Sequence, residues 1–431
     1  MKKITLGAAL CILFFAANIF AQPTWTPQSS PITTDLNSAS AVNADICWMS
    51  GVSGTSTSNV IRTTNGGQTW TVVSSSIPGA NDFYNLFAID ENKCIVGAGD
   101  GAIWSTTNGG TNWILDTLSG GSAIFINVVH MFDNNNGFAQ GDPVLNVWRY
   151  YTTTDGGFHW TLGANAPASV GSEAGWNNSY DAIDTGHIWW GTNVTKIWRG
   201  GLYGPFTSTS YSGSNAYCFG VAFNNANTGV AAVVTTGSVP GPIQITTNGG
   251  VSWSAGSFTP AQTPFGLKCV HGTGYMWMSC GTTTTGLIYR STNNGASWTQ
   301  QLSMSYAGYA LTFPNINVGW CGTAGGHIYK YTDNVGVVNQ NNTPAQYSLK
   351  QNYPNPFNPI TTIDYSLAKS GYVSLKVYNV LGENVATLVD GVENAGEHNV
   401  NLNAANLPSG TYFYTLRSGD FTATKRLVLV K

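Results

Sequence analysis

One eight-residue segment recurs along this chain and limits what it can fold into. Thr63-Thr64-Asn65-Gly66-Gly67-Gln68-Thr69-Trp70 returns at Thr106–Trp113, Thr153–Trp160, Thr246–Trp253 and Ser291–Trp298, always as Ser/Thr-x-Asp/Asn-x-Gly-x-x-Trp. The closing tryptophans stand at 70, 113, 160, 253 and 298, and a decayed copy ending at Phe206 fills the one double-length gap. The period is about 46 residues, the length of a four-stranded propeller blade. Each residue type has a physical task. Asn65, Asn108, Asp155, Asn248 and Asn293 can close a tight turn by hydrogen-bonding the backbone two residues on. Gly67, Gly110, Gly157, Gly250 and Gly295 supply the positive φ that such a turn needs. The tryptophan then buries a large ring between neighbouring elements, its N–H free to find a carbonyl.

The ends of the array indicate how a ring would close. One period before Trp70 stands Trp25, while Tyr331-Thr332-Asp333-Asn334 begins a box that never reaches its tryptophan. The segment around Trp25 is therefore expected to supply the outer strand of the last blade. Modules 25–70, 70–113, 113–160, 160–206, 206–253, 253–298 and 298–333 make seven sheets with no open edge in the ring. Short apolar runs such as Cys94-Ile95-Val96-Gly97 and His187-Ile188-Trp189-Trp190-Gly191 read as second strands, and Ile103-Trp104-Ser105-Thr106 as a third.

The repeated box resembles the Asp-box, or BNR, repeat of sialidases, sortilin-type receptors, xyloglucanase-type hydrolases and photosystem II assembly factor propellers. The resemblance implies the fold. It says little of activity, because in those families the box lies away from the active face.

After Asp333 the composition turns to Asn, Gln, Val and Thr, as in a linker (336–346), ahead of a compact 347–431 domain. There Val373, Leu375 and Val377 alternate with Ser374 and Lys376, the pattern of a half-buried strand, and Pro408-Ser409-Gly410 is a turn. The domain carries Pro354-Asn355-Pro356-Phe357, a Tyr378-x-x-x-Gly382 element and Leu407-x-x-Gly410-x-Tyr412 in order. It is similar to the type A sorting domain of the type IX secretion system. That resemblance implies the secretion machinery as a partner, passage across the outer membrane, and removal of the tail with release or attachment at the cell surface. The whole chain is thus expected to be all-β, a propeller (22–335) of about seven blades followed by a small immunoglobulin-like β-sandwich.

The N-terminus agrees with export. Lys2 and Lys3 precede an apolar stretch from Ile4 to Phe20, with Ala21 as a cleavage position (signal peptide 1–21), and Leu10 before Cys11 is not the small residue that a lipoprotein signal requires. No later segment is long and apolar enough to span a bilayer. Six cysteines remain (Cys47, Cys94, Cys218, Cys269, Cys280, Cys321), without CxxC spacing or histidine pairs, so no metal site is expected. They read as buried free thiols, Cys269–Cys280 being the pair to check for a disulfide. A net charge of −3 leaves no basic field for nucleic acid.

Chemistry is thinly represented, and no cofactor is expected. Arg62, Arg149, Arg199 and Arg290 recur at or before the boxes, which suggests packing rather than the arginine cluster that a sialidase uses. A glycosidase needs two carboxylates on one cleft, and the weak candidates are Asp100, Asp142, Glu173 and Asp181. Binding is better supported. Tyr84, Phe125, Trp176, Tyr180, Tyr217, Phe265 and Tyr306 stand in or near the loops that lead into each first strand, with Asn177 and Asn178 beside them. If the blades align, these rings circle the axis opposite the boxes, and aromatic planes beside neutral amides suit a glycan or an extended peptide. The resulting expectation is a non-catalytic exported binding module, the alternative a polysaccharide hydrolase of the xyloglucanase type. The segment Thr161–Asp184 is the longest interblade connection and the expected functional insertion.

Overall fold

The computed structural model describes residues 23–52, 59–78, 82–119, 125–211, 215–235, 237, 239–333, 347–369, 371–393, 396–419 and 421–431. The expected signal peptide and linker lie outside them. Two compact units divide at residues 335 and 336.

The first unit is a seven-bladed β-propeller. Its inner strands are Asp35–Ala41, Phe83–Ala88, Ile126–Met131, Gly175–Asp184, Asn215–Phe223, Thr263–Val270 and Gly308–Asn315. Each packs against the next around the ring, and the last meets the first. In blade 7 the outer strand is Thr24–Gln28, antiparallel to Ile328–Thr332 with Trp25 opposite Tyr331. The ring therefore closes through the N-terminal strand. Blade 3 gains a fifth strand, Thr117–Ser119, parallel to its outer strand His159–Leu162, where the chain enters from blade 2. Nothing in the repeat signals that addition.

The boxes share one hydrogen-bond pattern. Thr63 Oγ1 accepts from Asn65 N and Gly67 N (3.3 and 2.8 Å), and Asn65 Oδ1 accepts from Thr69 N at 3.0 Å. The sets at Thr106/Asn108, Thr153/Asp155, Thr246/Asn248 and Ser291/Asn293 repeat it. The hydroxyl thus makes the short-range bond expected of the Asn or Asp, which instead spans four residues. Gly67 sits at φ +81°, and a Cβ there would also collide with the Gln28 side chain.

Aromatic rings fill the spaces between blades. Trp189 stacks on Phe223 of the next blade at 3.6 Å, and Trp277 on Phe313 at 3.8 Å. In blade 4 Phe206 replaces the box tryptophan and packs against Tyr150 and Trp190. A side chain from the preceding blade also reaches the turns beside several boxes. Lys330 Nζ donates to Gly66 O (2.8 Å), Arg62 to Glu91 O (2.5 Å), Lys93 to Asn134 O (2.9 Å) and Trp189 Nε1 to Gly249 O (2.9 Å). The periodic basic residues therefore include blade staples.

All six cysteines described are free thiols. Cys269 faces Met276 and Cys280 faces Pro264. The two thiols sit at opposite ends of one hairpin, which rules out the disulfide singled out for checking.

The second unit packs the sheet of Ser348–Leu349, Ile360–Leu367 and Gly396–Asn403 on that of Gly371–Tyr378, Asn384–Glu393, Gly410–Ser418 and Phe421–Leu429. Ile363, Tyr365, Val373, Leu375, Val377, Tyr414, Leu416 and Leu427 form the core. The Pro-Asn-Pro-Phe segment is tied to the final strand. Val428 N donates to Asn355 Oδ1 (2.9 Å), and Phe357 exchanges main-chain bonds with Val428 and Val430.

Candidate functional site

In each blade the first strand runs toward the box face, so its start lies at the opposite face. Most of the aromatic residues singled out from the sequence stand there and touch across blade boundaries. Trp176 packs on Phe219 (4.0 Å between centroids) and Tyr217 (5.9 Å), Phe219 on Phe265 (5.7 Å), and Phe265 on Tyr309 (5.0 Å). Tyr84 and Phe125 form a second pair at 4.8 Å, while Tyr306 stacks on His327 at 4.0 Å. Blades 4 to 7 thus carry a continuous arc of rings. Phe219, buried at 3% exposure, and Tyr309 belong to it as well.

The inner strand of blade 4 departs from the others. Gly175 pairs with Thr192 and Tyr180 with Trp190, so five steps on one strand oppose two on its partner. The extra residues bulge, and Asn178, at φ +58°, enters the channel. Its Nδ2 donates to Asn37 O and Tyr84 O (3.0 Å each), and its Oδ1 accepts from Ser38 Oγ at 3.0 Å. One side chain thereby bridges blade 4 to blades 1 and 2.

Tyr180 is the exception among the expected ring residues. The bulge shifts it along the strand, away from the aromatic face. It is buried at 8% exposure, with its hydroxyl toward Val129 O (3.4 Å) and His130 Nδ1 (3.4 Å).

The four acids are taken up by separate partners. Asp100 closes its own hairpin by accepting from Ala102 N (3.0 Å). Asp142 accepts from Asn127 Nδ2 and Gly175 N (2.8 Å each), joining blades 3 and 4. Glu173 is buried, with its carboxylate on Trp198 Nε1 (3.0 Å) and Val170 N (3.1 Å). Asp181 lies toward the box face, whereas Asp100 and Asp142 belong to second-to-third-strand hairpins at the opposite end.

Asp181 belongs to a cluster that sequence reading missed. Beyond Asn178 the channel holds a cavity of about 230 Å³, walled by inner strands of blades 1, 2, 3, 4, 6 and 7. Asp181 accepts from Phe223 N of blade 5 (2.6 Å) and from His271 Nε2 of blade 6 (3.1 Å). Lys268 places its Nζ 4.9 Å from the centre of the Tyr180 ring. His130 sits among Phe87, Phe132 and Phe138, and burial pushes its pKa down to about 3, so it is neutral. The His271–Asp181 pair raises the imidazole above its ordinary range against the opposing effect of burial. No group of three or more His, Cys, Asp or Glu poised for a metal occurs among the described residues.

A ring of seven blades, with an aromatic arc on one face and a polar channel beneath, defines a seven-bladed β-propeller. The tail supplies its destination. Residues 351–431 match the family described as the secretion system C-terminal sorting domain. The protein is therefore a type IX secretion substrate addressed to the cell surface or extracellular space. No helix among the described residues is long and apolar enough to cross a membrane. The fold is similar to that of YCF48 bound to D1 peptide, at 16% identity and a TM-score of 0.56, covering 72% of this chain and 96% of that one. YCF48 from Cyanidioschyzon merolae gives 17% and 0.54, over 72% and 98%. The GH74 xyloglucanase from Xanthomonas campestris gives 12% and 0.53, covering 93% of this chain and 66% of that one, just under two thirds of its length. No curated protein matches the chain in sequence.

Proposed function

We propose that the mature protein is a non-catalytic binding module for an extracellular glycan or protein, held on the face opposite the boxes. The observation that carries this is the aromatic arc, Trp176–Tyr217–Phe219–Phe265–Tyr309, continuous over four blades. Tyr84, Phe125 and Tyr306 extend the same face. The half-buried rings of Trp176, Tyr217, Phe265 and Tyr309 offer apolar surface along which an extended ligand can lie. A similarly folded protein is described as bound to a peptide, which supports a protein ligand. The hydrolase alternative has less support, because Asp100, Asp142 and Glu173 are engaged in hairpin and blade contacts.

The test is a pair of glycan and peptide arrays probed with the mature chain and with Trp176→Ala. Binding of one class, weakened about tenfold to a hundredfold in the variant, supports the proposal and names the class. Equal binding by both proteins overturns the site. Polysaccharide cleavage by wild type that is abolished in Asp142→Asn overturns the non-catalytic reading.

A further inference from the structure

The channel cavity at the box end carries one charge without an opposite partner in bonding distance. Asp181 is engaged by His271, by Phe223 N and by its neighbour Ala182 N. His271 returns that bond, and His130 is neutral within its aromatic nest. Lys268 remains. Its ammonium stands over Tyr180, and among the described residues it makes no hydrogen bond or ion pair. Half-buried, with a ring face beside it and Asp181 acting on it only through space, the ammonium lacks protein acceptors for its three donors. The remaining walls are mixed: Phe87, Phe265, Phe313 and Tyr309 are apolar surface facing the same cavity.

We propose that this cavity is a second binding site, for a small organic carboxylate whose anionic end pairs with Lys268 and whose carbon body lies against the phenylalanines. The volume sets the size. About 230 Å³ falls below the ~300–1,000 Å³ of drug-sized sites, so an oligosaccharide or peptide is excluded and a molecule of one ring or a few carbons fits. The carboxylate supplies acceptors for the ammonium, a pairing roughly twice as strong as a neutral hydrogen bond. The Asp181 carboxylate is taken up by His271 and by two main-chain N–H groups, so selectivity rests on Lys268. Phe265 and Tyr309 of the aromatic arc also border this cavity, but Lys268, on which selectivity rests, is not part of the arc, so the site does not depend on the arc's function.

Calorimetric titration of the mature chain with benzoate, benzyl alcohol and inorganic phosphate tests it, alongside Lys268→Met and Lys268→Arg. Benzoate should bind with one site per chain, and benzyl alcohol about tenfold or more weaker, since it keeps the ring and loses the charge. Lys268→Met should abolish the preference for benzoate, and Lys268→Arg should retain it. Equal binding of the acid and the alcohol, no binding of benzoate, or an unchanged preference in Lys268→Met overturns the proposal. Phosphate binding as tightly as benzoate overturns the carboxylate assignment in favour of a general anion site. If Lys268→Met does not fold, the acid–alcohol comparison on wild type and the Lys268→Arg titration still decide.

Discussion

Removing residues 23–30 takes away the strand that closes the ring, and the structure sets the size of the effect. The half-buried Trp25 ring lies 5.2 Å from Tyr331 and 6.0 Å, edge-on, from Phe313. Losing a partly buried indole costs about 2 kcal/mol, below the 3–5 of a fully buried ring. Gln28 joins blade 7 to blade 1: its Nε2 donates to Gly66 O (3.1 Å) and its Oε1 accepts from Trp70 Nε1 (3.1 Å). Its loss leaves the indole N–H of Trp70, itself 6% exposed, without an acceptor, at about 1–3 kcal/mol. The strand's ladder bonds and the entropy of ordering five residues offset one another to first order. The sum is about 3–5 kcal/mol. For a unit of about 310 residues the unfolding entropy is about 0.65 kcal/mol/K, so the melting temperature should fall by about 5–8 °C. Differential scanning calorimetry of the mature chain, following the larger transition, measures this. A shift under about 1 °C would refute the closure energetics.

Asn178→Ala removes three hydrogen bonds between blade 4 and blades 1 and 2 and places alanine at φ +58°, so a loss of about 2–3 kcal/mol is expected. Asn178→Gly relieves the backbone and should lose less, and equal melting of both variants would count against the strain. Burial acts against the Asp181–His271 pair, yet pairing raises the histidine and lowers the aspartate. The histidine's share of stability is present below its unfolded pKa and fades as pH rises through the raised folded value. The aspartate's share is present above its unfolded pKa and fades as pH falls through the lowered one. Lys268 and His130 face the same pair, Lys268 opposing the histidine's charge. With His271 39% exposed the effect is at most about 1 kcal/mol, and His271→Ala should flatten denaturation midpoints between about pH 6 and 8. An unaltered slope would assign the pH dependence elsewhere. Finally, thiol titration of the mature chain should count six groups in denaturant and almost none when native, because burial raises the thiol pKa values. Four in denaturant would reveal a disulfide.

The repeats exposed the ring because each box is local: hydroxyl, Asn or Asp, glycine and tryptophan act within eight residues. Trp25 was legible for a related reason, as it stands one period before a known box. The channel was not. Asp181 and His271 are 90 residues apart and meet only when blades 4 and 6 are placed around one axis. Lys268 reads in sequence as an ordinary strand residue beside Leu267. The bulge after Gly175 has no period to betray it, and it displaced Tyr180 from the aromatic face where regular blade alignment put it. Among the acids, Glu173 reads as a free loop carboxylate, but only the fold shows the buried Trp198 indole that claims it.

The pairing of Thr24–Gln28 with Ile328–Thr332 also imposes an order of events. Thr24–Gln28 has no partner until some three hundred further residues follow it. Throughout that interval Thr24–Gln28 lacks its partner strand and is able to pair with another chain. The sorting segment at 351–431 is synthesised only after Thr332. A chain truncated before the last blade therefore lacks both its means of closure and its export address. Possession of the tail certifies that every strand needed to complete the ring has already been made.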